Sequence, residues 1–273
     1  MSSAALDLTF AKVNGRTVLT RRRYRWPLLI GRVFPDPAHP GVGSVIIQNA
    51  AGTLIPGDLV TQRIAVVDGG AAVVRGQGAT MVAGIPGGDV AVEHTEVHVD
   101  GTSRVVLDTA ARILTPHAHY RQRTHVRVAP GGRAVLVDAV VLHPDLRDEV
   151  FGSYDSTVEV TAADGRLLAL DAQSFENMPR VRRSPKAFAT VYVLGEGLDT
   201  AMTALSPELE SLAVLRGDRM AYVGVSDLPN EAGWAIRIAA ADGGVLRSIT
   251  GAVSMLVRAV TAMAGNTLNA VSP

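Results

Sequence analysis

The fold class is decided by the stretch Val90–Leu107, which reads Val-Ala-Val-Glu-His-Thr-Glu-Val-His-Val-Asp-Gly-Thr-Ser-Arg-Val-Val-Leu. Two Val-rich runs, Val90–Val99 and Ser103–Leu107, flank the dipeptide Asp100-Gly101. Branched side chains suit a pleated strand surface, so both runs are predicted to be strands. Asp and Gly both tolerate positive φ, and an Asp-Gly pair between two apolar runs predicts a hairpin turn.

The same unit recurs from Leu6 to about Phe175. Similar runs occupy Gly43–Ile47, Leu59–Val67, Ala71–Val74, Thr124–Val128, Ala134–Val141 and Ser156–Val160. Their spacers include Asp68-Gly69-Gly70, Pro130-Gly131-Gly132 and Asp164-Gly165. Many short strands with regular turn signals predict a sandwich, a barrel or a β-solenoid, although no strict repeat period is visible. Alternation such as that in Thr124–Val128 is typical of antiparallel sheets with one polar face.

The C-terminal third adds helices to the strands. One helix is predicted from near Thr200 to Ala213 and a second over Gly244–Ala264, where apolar residues recur at three- and four-residue steps. Arg247, Ser254 and Arg258 are expected on the polar face of the second helix, and its apolar face is expected to pack on the sheet. The predicted fold is therefore mainly β, a many-stranded or solenoid-like scaffold with about two α-helices in the C-terminal third.

The chain is predicted to form a single domain over residues 1–273. Within it, residues 1–175 are the strand-rich part and residues 187–273 combine strands with the two helices. The segment Glu176–Lys186 between them is basic and interrupted by prolines, which indicates a loop or linker.

Composition excludes several classes of function. Lys plus Arg and Asp plus Glu are both 26, so the zero net charge argues against nucleic acid or a membrane surface as a partner. The absence of Cys removes disulfides, thiolate metal sites and cysteine nucleophiles. No signal peptide is evident, and the apolar segment Val245–Met263 carries two arginines. A cytoplasmic location is therefore expected.

Histidine pairs are the first candidates for chemistry. His117 and His119 are two residues apart, so on a strand both imidazoles would face one ion, as in a β-barrel metalloenzyme. The Glu that such a motif needs about four residues later is missing, and two surface histidines are the simpler interpretation. His94, Glu96 and His98 share one predicted strand face, which indicates a solvated surface or a weak metal contact.

The remaining motif searches give no catalytic constellation. No phosphate loop, nucleophile elbow or His-Glu-x-x-His motif is present. The basic run Arg21–Arg25 is typical of a charged edge strand that discourages strand pairing, with nucleic-acid binding as the weaker interpretation. A chain of this length without a recognisable active site favours an assembly or interaction protein.

The order of several segments resembles one known family. These segments are Val45–Asn49 with the turn Gly52–Asp58 behind it, Gln77–Thr80, Tyr120–Val128, Leu146–Phe151 and Gly233–Arg237. Together they resemble the urease accessory protein UreD, also called UreH, over most of the chain. No single motif is specific, and the order of the segments carries the resemblance.

The resemblance implies a maturation scaffold rather than an enzyme. Family members bind apo-urease and the helical partner UreF, which recruits the GTPase UreG, and nickel passes toward the urease active site. No tightly bound cofactor is expected, only nickel in transit. Asp58 and Glu149 match acidic family positions and are the candidate nickel ligands, with turn-capping carboxylates as the alternative. The alternative function is a metal-dependent β-barrel or solenoid enzyme that uses His117 and His119.

Overall fold

The computed structural model describes residues 5–36, 39–177, 185–214 and 220–263, which form nineteen strands and two α-helices. The strands are β1 (Leu6–Val13), β2 (Arg16–Tyr24), β3 (Leu28–Ile30), β4 (Phe34–Pro35), β5 (Gly43–Asn49), β6 (Thr53–Leu54), β7 (Leu59–Val67), β8 (Ala71–Gly76), β9 (Thr80–Val82), β10 (Ala91–Val99), β11 (Arg104–Asp108), β12 (Arg112–Leu114), β13 (His119–Val128), β14 (Arg133–Leu142), β15 (Ser153–Ala162), β16 (Leu167–Phe175), β17 (Ala187–Leu194), β18 (Ala221–Asp227) and β19 (Gly233–Ala240). The helices are α1 (Asp199–Ser211) and α2 (Gly243–Met263), and short 3₁₀ turns cover Asp148–Val150 and Pro229–Glu231.

The strands form two sheets that face each other. The seven-stranded sheet has the order β16-β15-β13-β10-β7-β1-β2. The twelve-stranded sheet has the main path β18-β19-β17-β14-β11-β8-β5-β3, and the short strands β4, β6, β9 and β12 lie off that path. Apolar residues from the inner faces of both sheets make one continuous core.

Successive turns of the chain stack as coils, which confirms the solenoid-like scaffold. In the seven-stranded sheet β7, β10, β13 and β15 pair in parallel, and in the other sheet β8, β11 and β14 do the same. The register places Leu59 opposite Val92, Arg121 opposite Val92, and Asp155 opposite Arg121. Coil lengths therefore vary from one turn to the next, so the sequence shows no strict period.

Most of the predicted hairpins are corners between sheets. Asp100-Gly101 connects β10 of one sheet to β11 of the other, and the spacers at Asp68 and Pro130 do the same. Only Asp164-Gly165, among these spacers, joins an antiparallel pair, β15 and β16. Positive φ at Asp68 and Gly131 supplies the tight reversal. A turn signal does not decide which sheet receives the next strand, and the hairpin prediction was wrong at those three positions.

The alternation of polar and apolar residues in Thr124–Val128 predicted antiparallel pairing, and this prediction was wrong. Val126 and Val128 are buried while Arg127 is exposed, as the pattern predicts. The strand that carries them, β13, nevertheless pairs in parallel with both neighbours. In a solenoid one face of a parallel sheet stays open to solvent, so a polar face does not require antiparallel pairing.

Both predicted helices are confirmed, and they pack on the outer side of the twelve-stranded sheet. Leu246, Val253 and Val257 of α2 and Met202 of α1 join a second apolar core with residues of β14, β17 and β19. Arg258 departs from the predicted polar face, because its Nε is buried and has no hydrogen-bond partner among the described residues. None of the described helices is long and apolar enough to cross a membrane.

The two parts of the chain are joined by strand pairing. β14 of the strand-rich part pairs with β17 over Ala134–Val141 and Ala187–Leu194, so one sheet continues from one part into the other. Most of the predicted linker, residues 178–184, lies outside the described residues.

Close backbone contact at one corner depends on small residues. Ala118 precedes β13, Gly152 precedes β15, and Gly84 lies before β10. A Cβ at Gly152 would overlap the carbonyl group of Ala118, and a Cβ at Gly84 would overlap the peptide between His117 and Ala118. The three corner segments can stack only because they lack bulk.

We therefore predict that Gly152→Ala lowers the free energy of unfolding by about 1–3 kcal/mol, the usual cost of overpacking. Gly78→Ala is the control, because a Cβ there meets open space. It should change the unfolding free energy by no more than about 0.5 kcal/mol. Urea unfolding of both variants measures the difference, and equal stability would contradict the stacked corner.

Candidate functional site

A row of polar side chains crosses the interior of the seven-stranded sheet. Glu93, Gln122, Ser156 and Gln173 are in direct register on β10, β13, β15 and β16. Each of these side chains points inward. Apolar residues such as Val60 of β7 and Ala91 of β10 occupy other inward positions of the same sheet. Polar groups in such a position require partners from the opposite sheet.

Arg112 supplies the main partner. It lies on β12 of the twelve-stranded sheet, and its guanidinium donates to both carboxylate oxygens of Glu93, with Nη2 to Oε1 at 3.0 Å. The two side chains are only 10% and 8% exposed. The Tyr120 hydroxyl also donates to Glu93, and Arg112 Nη1 donates to the carbonyl oxygens of Thr109 and Ala110. This bidentate ion pair links the two sheets.

A second cluster continues the row. Gln122 donates through Nε2 to Asp138 of β14 and to the hydroxyl of Ser156 at 2.9 Å. Ser156 in turn donates to Asp138 Oδ2 at 2.6 Å. We call Glu93, Arg112, Tyr120, Gln122, Asp138 and Ser156 the interior polar seam. Its members come from both sheets and from three successive coils.

The two carboxylates of the seam differ in electrostatic environment. Burial raises the pKa of Glu93, but the charge of Arg112 and the hydrogen bonds from Arg112 and Tyr120 outweigh it, and the net pKa is lowered. Burial lowers the pKa of Arg112, but Glu93 outweighs it and the net shift is upward. Asp138 has its pKa raised by burial, which the hydrogen bonds from Ser156 and Gln122 offset only in part. Glu93 is therefore a fixed charge, whereas Asp138 is held less firmly ionised.

Two small cavities adjoin the seam. One is lined by Thr95, Gln122 and Asp138 among others, and the second by Gln62, Gln77 and Thr80; both touch Glu93 and Arg112. Each has a volume of about 30 Å³. Such a space holds about one water molecule when polar groups line it. The interior is thus oxygen-rich and has two small cavities beside the ion pair, each with room for about one water molecule.

At the far edge the polar interior approaches solvent. Asp171 of β16 accepts from the Tyr192 hydroxyl at 2.9 Å and from Arg237 Nη2 at 2.8 Å. The side chain of Arg237 is 49% exposed. Burial, together with the charges of Asp138 and Asp171, raises the pKa of Tyr192. The interior polar groups therefore continue past Asp138 toward the surface.

The predicted nickel ligands lie outside this seam. Asp58 precedes β7, and its Oδ2 accepts from the Ile55 N–H at 2.9 Å, which closes a turn. Glu149 is exposed in the 3₁₀ turn before β15. Both residues lie at the end of the seven-stranded sheet where its parallel strands begin, Asp58 before β7 and Glu149 before β15. In the sheet, β10 and β13 lie between β7 and β15. Three strand spacings separate the strands by about 14 Å, so the pair does not share one ion.

The alternative metal pair at His117 and His119 loses its geometric basis. β13 begins at His119, and His117 lies before it in a turn with φ 61°. Alternation along a strand therefore does not place the two rings on one face. His119 Nδ1 lies 3.0 Å from the Ser153 hydroxyl. In the described part of the chain, no group of three or more His, Asp or Glu side chains could hold a metal.

Sequence comparisons with known proteins point to a single family. The family model described as UreD urease accessory protein matches residues 2–271. The chain belongs to this family. The urease accessory protein UreD of Mycolicibacterium smegmatis is 53% identical over 244 residues, which cover 89% of this chain and 86% of the relative.

More distant relatives carry the same description. Urease accessory protein UreD 2 of Bradyrhizobium sp. strain BTAi1 is 34% identical over 259 residues, covering 93% of this chain and 89% of the relative. UreD 1 of Methylorubrum populi is 30% identical over 258 residues, covering 92% and 86%. The resemblance is confirmed. Membership supports a role in urease maturation, as an accessory protein and not a catalytic enzyme.

Sequence reasoning missed the interior polar seam. Glu93 lies on the same strand as His94, Glu96 and His98, but only those three outward-facing residues were predicted as a candidate site. The alternation of inward and outward positions along β10 could have identified Glu93. Glu93 and Thr95 occupy the inward positions that Ala91, Val97 and Val99 also occupy. Asp138, within the apolar run of β14, carries a similar signal.

The seam pair should be strongly coupled energetically. We predict that Arg112→Met alone lowers the unfolding free energy by about 3–5 kcal/mol, because Glu93 is left buried and uncompensated. Glu93→Leu should be similarly costly, whereas the double variant should cost less than either single change. A double-mutant cycle by urea unfolding measures the coupling, and additive effects would contradict it.

The contribution of Asp138 to the free energy of unfolding should change with pH in the direction opposite to that of Glu93. A carboxyl with a raised folded pKa binds its proton more tightly in the folded state, so its contribution to stability falls as pH rises through the unfolded value of about 3.9. The unfolding free energy of wild type minus that of Asp138→Asn should therefore decrease between about pH 3 and pH 8. Asp89→Asn, at an exposed position, is the control and should show a flat difference.

Proposed function

We propose that this protein is a urease maturation scaffold that binds apo-urease and the accessory proteins UreF and UreG, the latter through UreF, and assists nickel delivery to the urease active site. The observation that carries the proposal is the family match over residues 2–271. The two-sheet solenoid supports it, because a rigid scaffold offers long surfaces for protein partners. On this proposal it works in the cytoplasm, and GTP hydrolysis belongs to UreG.

The chemistry of the interior is suited to passage of a divalent cation. Carboxylate, hydroxyl and amide oxygens line the interior polar seam, and hard oxygen donors bind such ions without the tight hold of thiolates. Arg112 neutralises Glu93, which leaves Asp138 as the seam carboxylate without an ion pair to a described residue.

Asp58 and Glu149 are proposed as separate contacts of the ion at the edge where the strands of the seven-stranded sheet begin. Their separation fits successive positions along a path and not one chelating site. Glu149 is exposed, so it is available to incoming nickel. Asp58 is partly buried and already caps a turn, so nickel would share its carboxylate with the Ile55 N–H.

The scaffold role is tested by co-expression with the urease subunits, UreF and UreG of the same organism. The proposal expects a tagged wild-type protein to retain apo-urease and UreF, and to retain UreG only when UreF is present. A monodisperse protein that retains neither apo-urease nor UreF would exclude the scaffold role.

The nickel contacts are tested by changes that remove charge but keep shape. Asp58→Asn keeps an acceptor for Ile55 N–H, and Glu149→Gln keeps the side-chain length. We predict that each lowers the nickel content and activity of co-expressed urease several-fold without loss of partner co-purification. Glu208→Gln, an exposed carboxylate on α1, is the matched control. Nickel contents equal to those of the control would remove Asp58 and Glu149 from the path.

A further inference from the structure

The outer face of the seven-stranded sheet carries an uninterrupted basic column. The outward positions of β13 are His119, Arg121, Arg123, His125 and Arg127, as its alternating burial shows. Each of the five is an imidazole or a guanidinium, and none is a carboxylate. A solvated strand face ordinarily mixes both signs of charge, since like charges in one column repel. The repulsion within this column therefore lowers the stability of the isolated protein.

Neighbouring strands neutralise this column only in part. Arg121 lies 3.6 Å from Asp155, and His125 lies 3.9 Å from Glu159, both on β15. Arg123 and Arg127 form no ion pair with a described residue. In register, Arg123 lies between His94 and Thr157, and Arg127 lies between His98 and Thr161, so no carboxylate is directly opposite either arginine.

A shallow hollow lies on the same face. Arg63, His98, His125 and Arg127 line it together with Glu96 and Val97, and its volume is about 250 Å³. The pKa of His98 is lowered first by partial burial and then by the charge of Arg127 and of Arg63, with Asp100 acting in the opposite direction. Arg63 is paired with Asp7 at 3.2 Å, so Arg127 is the arginine of this hollow that has no ion pair to a described residue.

No described helix covers this face. Both α1 and α2 pack on the twelve-stranded sheet, so this face is open. Outward positions of β13 extend over roughly 27 Å, and the seven strands span roughly 29 Å across. That gives an area close to the roughly 800 Å² that one partner contributes to a standard interface.

We propose that the outer face of the seven-stranded sheet is a docking surface for an acidic face of a protein partner, with Arg123 and Arg127 as its unpaired cations. Carboxylates of the partner complete the ion pairs that the chain itself leaves open. The retained carboxylates Glu96, Asp155 and Glu159 favour a protein surface of mixed charge over the uniform charge of a nucleic-acid backbone.

The first test uses poly-L-glutamate as the probe and the double variant Arg123→Glu/Arg127→Glu. Arg32→Glu/Arg247→Glu is the matched control, because it makes the same change in net charge at exposed positions elsewhere. Thermal unfolding confirms that both variants fold. The face variant should bind the probe at least tenfold more weakly than the control. Equal weakening in both variants would overturn the proposal.

Two further arms decide the class of partner. Duplex DNA at equal charge concentration should bind wild type more weakly than poly-L-glutamate does, and tighter binding of DNA would overturn the assignment to a protein. In co-purification with apo-urease, UreF and UreG, the face variant should lose a partner that the control retains. Retention of the same partners by both would overturn docking at this face. If wild type retains no urease protein while the probe still distinguishes the variants, the proposed function fails and the docking surface stands.

Discussion

The buried ion pair between Glu93 and Arg112 is the constraint on which the interior depends. It crosses from one sheet to the other, and each charge is almost fully removed from water. A buried charge without a partner is costly, so the spacing of the two sheets at this coil is fixed by bidentate geometry as well as by apolar packing. The neighbouring hydroxyl of Tyr120 and the carbonyl groups of Thr109 and Ala110 satisfy the remaining donors and acceptors. The polar interior is therefore ordered, unlike a loosely hydrated gap.

Fixing this pair leaves the rest of the seam free for another role. Because Arg112 is committed to Glu93, no described guanidinium forms an ion pair with Asp138, whose hydrogen bonds come from a neutral amide and a neutral hydroxyl. Burial therefore raises the pKa of Asp138, because these neutral donors offset the loss of hydration only in part. The two seam carboxylates, which lie on facing strands of the same scaffold, thus differ in how their charge is stabilised.

The sequence allowed prediction of the elements but not of their arrangement. Apolar periodicity located α1 and α2 within a few residues, and Val-rich runs located the strands. Asp100-Gly101 has the local chemistry of a hairpin, yet the next strand joins the opposite sheet, because a turn signal does not specify which strand the following segment pairs with. His117 shows the same limit, since a one-residue difference in where β13 begins removes it from the strand. The seam was missed because its members are far apart in sequence and meet only through coil stacking.

A zero net charge conceals a segregation that only the fold displays. The chain has seven histidines, and four of them, His94, His98, His119 and His125, lie on the outer face of one sheet with unpaired arginines among them. Three carboxylates, Glu96, Asp155 and Glu159, share this face, but none is directly opposite Arg123 or Arg127. Others lie inside, at Glu93 and Asp138, or on loops such as that at Glu149. Overall charge argued against nucleic acid as a partner, but a patch on one face has its own field at distances within about 8 Å. This uneven distribution of charge suits a scaffold, because a partner interacts with the charges of one local face and not with the total charge of the protein.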